Sequence, residues 1–419
     1  MLTRRDFSKR ILASGAAGLV PERALSLASR TVAEELDEGQ KCDLLIKGGT
    51  VIDPAQHVHA ILDVAVKDGK ILQLSKDIPE DRAVKVVSAK DRIVTPGFID
   101  LEVHCFEGIS DLAVNPDHYC LGRGSTTILD NGAAGYLGID GFVKYIVNPS
   151  ITRVFTSVNI FPPGVIRPDA LRTLDNPDSM DPELAAKAVE RNKPAAVGIK
   201  AYIEKAHVGP KDSECLRRAV AAASASRVPV VADIVDTYSP IGKILGMLRK
   251  GDVFTHVYNS YSNGVLDANG KVLPEVRDAR ERGVYFDTAQ GWDKFSFDVA
   301  EKCMQQGILP DAISTDLVSL NVDSMVYDLP TTVSKFLALG MKLDDAIERV
   351  TARPAEIFDF GVQIGTLRPG SEADIGIFEL REGKFEFVGN SPSDKRTGSQ
   401  MLINKAVVCR GRFFVNAVW

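Results

Sequence analysis

The middle of this 419-residue chain repeats one pattern: a short apolar strand, a polar residue where that strand ends, then a stretch with helical spacing. Thr126 to Leu129, Ala196 to Lys200, Val228 to Asp233, Val253 to His256, Gly283 to Asp287 and Ala312 to Asp316 are such strands, and Leu216 to Ala223 and Met341 to Val350 place apolar residues as a helix does. Strand-helix alternation over about 260 residues predicts a (β/α)8 TIM barrel rather than an open doubly wound sheet. A doubly wound sheet wants a glycine-rich phosphate loop after its first strand, and none is present.

The two ends read differently. From Cys42 the chain runs in short strands with turns between them: Leu44-Leu45-Ile46 into Lys47-Gly48-Gly49, Val51-Ile52 into Asp53-Pro54, and Val64-Ala65-Val66 into Asp68-Gly69 and Ile71-Leu72. The far end answers with Ala373 to Phe378 and short strands up to Phe413-Phe414-Val415. These ends predict a small β-sandwich built from both termini, residues 42–95 plus 361–419, beside a barrel over 96–360. Residues 1–41 read as a leader and linker. Thr3-Arg4-Arg5-Asp6-Phe7-Ser8-Lys9, an apolar run from Ile11 to Val20 and small residues around Ala24 to Ser29 resemble a twin-arginine export signal, which predicts a periplasmic or exported protein. That apolar run falls short of the roughly twenty residues a membrane span needs, so no stable membrane insertion is expected.

Composition narrows the rest. Apolar content of 45% and charged content of 25% suit a soluble globular enzyme. A formal net charge of -6 without a basic stripe gives no case for nucleic acid, and six cysteines with no C-x-x-C pair give none for a disulfide scaffold. A small-molecule substrate is the expected partner, and homo-oligomerisation stays open.

The strand ends carry the chemistry. In Thr95-Pro96-Gly97-Phe98-Ile99-Asp100-Leu101-Glu102-Val103-His104 a buried strand leaves a Pro-Gly turn, with Glu102 and His104 two apart on one face. Lys200, Asp233, His256 and Asp316 end later strands, where barrel catalysis takes place. Their order resembles the amidohydrolase superfamily, whose metal site opens with His-x-His and closes with Asp. It comes closest to the deacetylase-like, dihydroorotase-related branch through Gly198-Ile199-Lys200-Ala201, Thr255-His256 before Asn259, Ser314-Thr315-Asp316-Leu317, Leu329-Pro330-Thr331-Thr332, Thr351-Ala352-Arg353-Pro354-Ala355 and Gly365-Thr366-Leu367. The resemblance runs from about residue 42 to the end. It implies metal ligation by Glu102, His104, Lys200 (as a carbamate), Asp233, His256 and Asp316, with Asp316 moving the proton.

The departures sit in the pocket. Glu102 and Asp233 stand where the family carries histidines, Tyr202 where the branch carries arginine, and Gln290 replaces another histidine. With Lys200 carboxylated, four anions would balance two divalent ions, and the oxygen-rich set favours manganese or magnesium over zinc. With Lys200 free, its ammonium takes a cation's place among the carboxylates, and one ion or none remains. Tyr202, Tyr258, Asn259 and Gln290 are the candidate substrate contacts. His57, His59, His118 and His207 fall outside the motif and read as structural or surface residues. The resemblance implies hydrolysis of a C-N bond, in an amide or cyclic amide, by metal-activated water. The alternatives are a metal-free lyase or isomerase using Lys200 as base or amine, and a degenerate homologue that binds a ligand without turning it over.

Overall fold

A computed structural model describes residues 41–166 and 177–415. The export signal and linker expected over residues 1–41 lie, apart from residue 41, outside the described residues, as do the last four residues. Strands run in chain order as β1 (Cys42–Asp53), β2 (Val58–Lys67), β3 (Lys70–Ser75), β4 (Ala83–Ser88), β5 (Ile93–Pro96), β6 (Phe98–Val103), β7 (Ser125–Gly135), β8 (Arg153–Asn159), β9 (Ala196–Tyr202), β10 (Val230–Asp233), β11 (Val253–Thr255), β12 (Tyr285–Phe286), β13 (Ile375–Val388), β14 (Lys395–Cys409) and β15 (Arg412–Val415).

The fold is α/β, with two separate sheets. The first is mixed, with eight strands in the order β15-β14-β13-β5-β1-β2-β3 and β4 on the side of β1. The two ends of the chain meet where β5 pairs antiparallel with β13, Pro96 opposite Ile375. The β2–β3 turn is Asp68-Gly69, both at positive φ (50° and 76°), which a two-residue hairpin of right-handed twist requires. Leu44, Ile46, Val64 and Val66 from the first end pack with Ile375, Ile377 and Val408 from the second.

The second sheet holds β6 to β12 in chain order, every pair parallel. It is curled. Leu101, Leu129, Phe155, Val197, Val231 and Val253, one from each of β6 to β11, form a single inner cluster plugged by Ile357, Phe358 and Phe360. The segment Ala312–Leu317 was expected to be a full strand and makes only isolated parallel bridges, yet it reaches both edges: Ala312 to Asp287 after β12, and Leu317 to Val103 of β6. Buried side chains fix it there. Asp100 of β6 accepts from the Thr315 N–H at 3.0 Å and its hydroxyl at 2.6 Å, and Asp287 accepts from the Ser314 hydroxyl at 2.6 Å. Burial pushes these carboxyls up, Asp100 to about 7 and Asp287 to about 8, because the donors offset only part of the desolvation.

The helix expected over Met341 to Val350 covers only Leu343–Glu348. Gly340 at φ 88° ends the preceding helix, Leu329–Ala338, and the Val350 N–H closes a turn onto Ile347. All six cysteines are buried and unpaired with one another. Among the described residues no helix is long and apolar enough to cross a membrane.

Candidate active site

Six strand ends at the C-terminal edge of the curled sheet converge on one buried cluster. Strand β6 reaches it by an irregularity: its register against β7 shifts between Asp100 and Val103. Ile99 and Leu101 belong to the inner cluster while Val103 belongs to the outer core, so the shift aims Glu102 and His104 inward. Lys200 on β9 donates to Glu102 Oε1 at 2.7 Å and lies 3.7 Å from Asp233 Oδ2. The other Glu102 oxygen accepts from Asn131 Nδ2 of β7 at 2.5 Å. Gly132, at φ +95°, clears the way for the lysine stem, since a Cβ there would meet Lys200 Cγ at 2.7 Å.

His256 and Asp316 sit just past their strands at φ 61° and 49°, and Ala289 at 38°. Left-handed backbone at non-glycine residues is costly and concentrates at functional sites. The His256 ring is fixed by Nδ1 donating to the Ala289 carbonyl at 2.6 Å, which turns Nε2 to Asp233 Oδ2 at 3.1 Å. Burial lowers the His256 pKa, but the Asp233 carboxylate outweighs it and the net shift is upward. His104 Nε2 faces Asp316 Oδ1 at 3.5 Å and the Tyr202 hydroxyl at 3.3 Å. Its own shift is upward too, with burial lowering it and Asp316, Asp130 and Glu102 together raising it by more. For Asp316, burial pushes up, and His104 with the Lys294 and His256 charges holds the carboxyl below the usual range, at about 2.

These donors suit a divalent cation. Ligand atoms of Glu102, His104 and Asp316 lie within 4.8 Å of one another, as do those of Glu102, Asp233 and His256, so Glu102 is common to both sets. A ring whose other nitrogen is tied to a carbonyl, as in His256, is how metal-binding histidines are oriented. Buried His104 Nδ1 and Asp233 Oδ1 have no hydrogen-bond partner.

Sequence reasoning missed three participants. Lys294 projects from the loop after Gln290, 3.1 Å from Glu204 Oε1, 3.5 Å from His256 Nε2 and 3.7 Å from Asp233 Oδ2. Glu204 joins it, and His207, expected to be a structural or surface residue, pairs with Glu204 at 3.1 Å. All three line a cavity of about 220 Å³ with His104, Tyr202, Trp292 and Asp316. The motif offered no signal for Lys294, which lies in the loop 287–296 between β12 and the helix Phe297–Gln305.

Of the four expected substrate contacts, Tyr202 alone faces that cavity. Tyr258 is a correction: its ring packs among Phe295 and Phe336 and its hydroxyl donates to the Ile308 carbonyl at 3.0 Å, so it belongs to the aromatic core. Asn259 is another, since Nδ2 donates to the His256 carbonyl at 2.8 Å and Oδ1 accepts from the Tyr261 N–H, which braces the loop. Gln290 likewise spans Met325 O and the Thr332 hydroxyl, at 3.3 and 3.1 Å, behind the site.

Comparison with known proteins follows this geometry. A deacetylase of Enterococcus faecalis is 32% identical over 342 residues, 81% of this chain and 90% of the relative. A dihydroorotase of Geobacter metallireducens is 24% identical, across 80% of this chain and 90% of the relative. Among solved structures, an adenine deaminase superposes with a TM-score of 0.83 at 30% identity, covering 90% of this chain and 100% of that one. A dihydroorotase gives 0.80 at 25%, covering 89% and 99%. No family model matches. The chain belongs to the amidohydrolase superfamily, in its deacetylase-like, dihydroorotase-related branch. It is therefore an enzyme of a superfamily of hydrolases that act on carbon-nitrogen bonds.

Proposed function

We propose that this protein hydrolyses an amide or cyclic amide of a small molecule, in a (β/α)8 barrel over residues 96–360 flanked by a small β-sandwich of 42–95 and 361–419. The observation that carries it is the pair of carboxylate-imidazole sets sharing Glu102 at the strand ends. A cavity of about 220 Å³ lies below the roughly 300–1,000 Å³ of drug-sized sites, which favours a compact substrate.

Glu102, His104, Asp233, His256 and Asp316 would hold zinc, manganese or magnesium. Such an ion supplies Lewis acidity toward the carbonyl oxygen and lowers the pKa of a bound water. Asp316, ionised at neutral pH, accepts the proton of the attacking water and returns it to the leaving nitrogen. His104, 3.5 Å away, orients that carboxylate. Gly291 lets the chain pass close to it, since a Cβ there would meet Asp316 Oδ2 at 2.7 Å. Tyr202, Trp292 and Val165 wall the cavity and exclude bulk water. Lys200 acts as an amine that neutralises Glu102 rather than as a carbamate, supported by the 2.7 Å contact between them.

The test is amide and cyclic-amide hydrolysis, with metal content, before and after chelation. Chelation should abolish turnover and a divalent ion restore it. Undiminished turnover by metal-free protein would instead favour Lys200 as the acid-base group, a reading that the same 2.7 Å contact allows. The paired Arg4-Arg5 leader supports export, and cell fractionation of an Arg4→Lys, Arg5→Lys variant checks it by retention in the cytoplasm.

A further inference from the structure

We propose that Lys294 takes the place of a second cation, so that the centre holds a single divalent ion on its Glu102–His104–Asp316 side. This inference rests on the metal-dependent reading above and specifies it.

The two donor sets differ in what already compensates them. Lys200 pairs with Glu102, which both sets share, so the difference lies in Lys294, and on the Asp233–His256 side two ammonium groups are in place. Lys200 Nζ lies 3.7 Å from Asp233 Oδ2, and Lys294 Nζ lies the same distance from that oxygen and 3.5 Å from His256 Nε2. On the Asp316 side, among the described residues, the carboxylate's ion-pair contact is His104, and neither lysine is within 4.0 Å of it. An ion entering the first side would be pressed against a fixed positive charge that stands 3.5 Å and 3.7 Å from two of its ligand atoms, and partial screening does not remove that repulsion. An ion entering the second meets two carboxylates and the His104 imidazole; Lys200 stands beside Glu102 there too, but Lys294 is not within ion-pair distance of Asp316.

Charge balance gives the same answer. Of four buried or nearly buried carboxylates at the centre, Glu102, Asp233 and Glu204 pair with the two ammonium groups, Lys200 and Lys294, and Asp316 pairs with His104. Four against two leaves two negative charges when the histidines are neutral, and one divalent ion cancels them. A second ion would leave the cluster with two positive charges in a largely buried site, where uncompensated charge is expensive.

Lys294 is anchored for this role. Glu204 holds its Nζ at 3.1 Å, and His207 holds Glu204 from the other side at 3.1 Å. The donors it displaces remain in position: His256 Nε2 is fixed by the Nδ1 bond to Ala289, and buried Asp233 Oδ1 has no hydrogen-bond partner. Removing the ammonium should therefore open a second binding position, not merely weaken the first.

The experiment counts metal. Full-length wild-type protein, Lys294→Met and the charge-keeping Lys294→Arg are each loaded with excess Zn²⁺ or Mn²⁺, desalted, and measured for ions per chain by plasma mass spectrometry. Wild type and Lys294→Arg should hold one ion and Lys294→Met two. Two ions in wild type, or one in Lys294→Met, would overturn this inference while leaving metal dependence intact. No ion in wild type after loading would remove the metal-dependent reading itself. If Lys294→Met does not fold, Lys294→Gln replaces it, and the wild-type count stays decisive.

Discussion

Lys200 and Lys335 are both buried and titrate in opposite directions. For Lys200, burial pulls the pKa down, but Glu102 at 2.7 Å and Asp233 at 3.7 Å outweigh it and the amine ends above its ordinary value. Lys335, in the helix Leu329–Ala338 that packs against β14, donates to two neutral acceptors, the carbonyls of Met325 at 2.6 Å and Val388 at 2.8 Å. Burial wins there and lowers it to about 7, with Asp328 and Asp394 opposing only at a distance. Carbonyl dipoles satisfy an amine's hydrogens without balancing its charge; carboxylates do both. Lys335 is a polar plug between layers, whereas Lys200 belongs to a buried assembly of opposite charges that packing alone does not require.

The largest effect expected from this contrast is on stability. In metal-stripped protein, Lys200→Met leaves Glu102 and Asp233 short of a buried counter-charge and should cost about 3–5 kcal/mol, read as a fall in the thermal midpoint. Added divalent ion should recover more of that loss in the variant than it adds to wild type. A loss under about 1 kcal/mol would mean that Lys200 is no more coupled to charge than Lys335 is.

Glu102 comes next, being common to both donor sets. Glu102→Ala should weaken the remaining ion by about 100-fold or more, near 2.7 kcal/mol, in a competitive chelator titration. Glu102→His should retain or tighten zinc by restoring nitrogen ligation on β6. Equal zinc affinity in the alanine variant and wild type would reduce Glu102 to a partner of Lys200 and Asn131.

How far these residues could be read in the sequence depends on their position. Strand ends were legible, because an apolar run finishing in Lys200, Asp233 or Asp316 breaks its own pattern with a charged group. The register shift in β6 was not, and simple alternation would have set Glu102 opposite Leu101; the shift begins at Asp100, which is held by Thr315, 215 residues away in sequence. Lys294 and Glu204 were hidden for a related reason. They lie in loops without periodicity, and only tertiary structure sets them beside Asp233. Tyr258 and Asn259 misled because they follow His256 directly, yet the left-handed turn at His256 sends them into the core and the loop. The pairing of the chain's ends through β5 and β13 was foreshadowed by turn chemistry, but the weak bridging of Ala312–Leu317 was not, since its anchors are side chains rather than a ladder.

Lys335 supplies the smallest effect and the sharpest sign. Its folded pKa of about 7 lies below the 10.5 of an unperturbed lysine. Between those values the folded chain keeps the amine neutral while the unfolded chain protonates it. The unfolded state then binds more protons, and stability from this group rises with pH across the window, by up to about 1.4 kcal/mol per pH unit. Below pH 7 both states carry the proton and the slope vanishes. Lys335→Met removes the group, so the thermal midpoint of wild type relative to the variant should climb between about pH 7 and 10 and stay level between about 5 and 6.5. The variant also strands the carbonyls of Met325 and Val388, a pH-independent penalty of about 1–3 kcal/mol that shifts the whole curve without bending it. Parallel curves for the two proteins would show that Lys335 stays charged like Lys200, and burial in this fold would then not separate an amine held by carbonyls from one held by carboxylates.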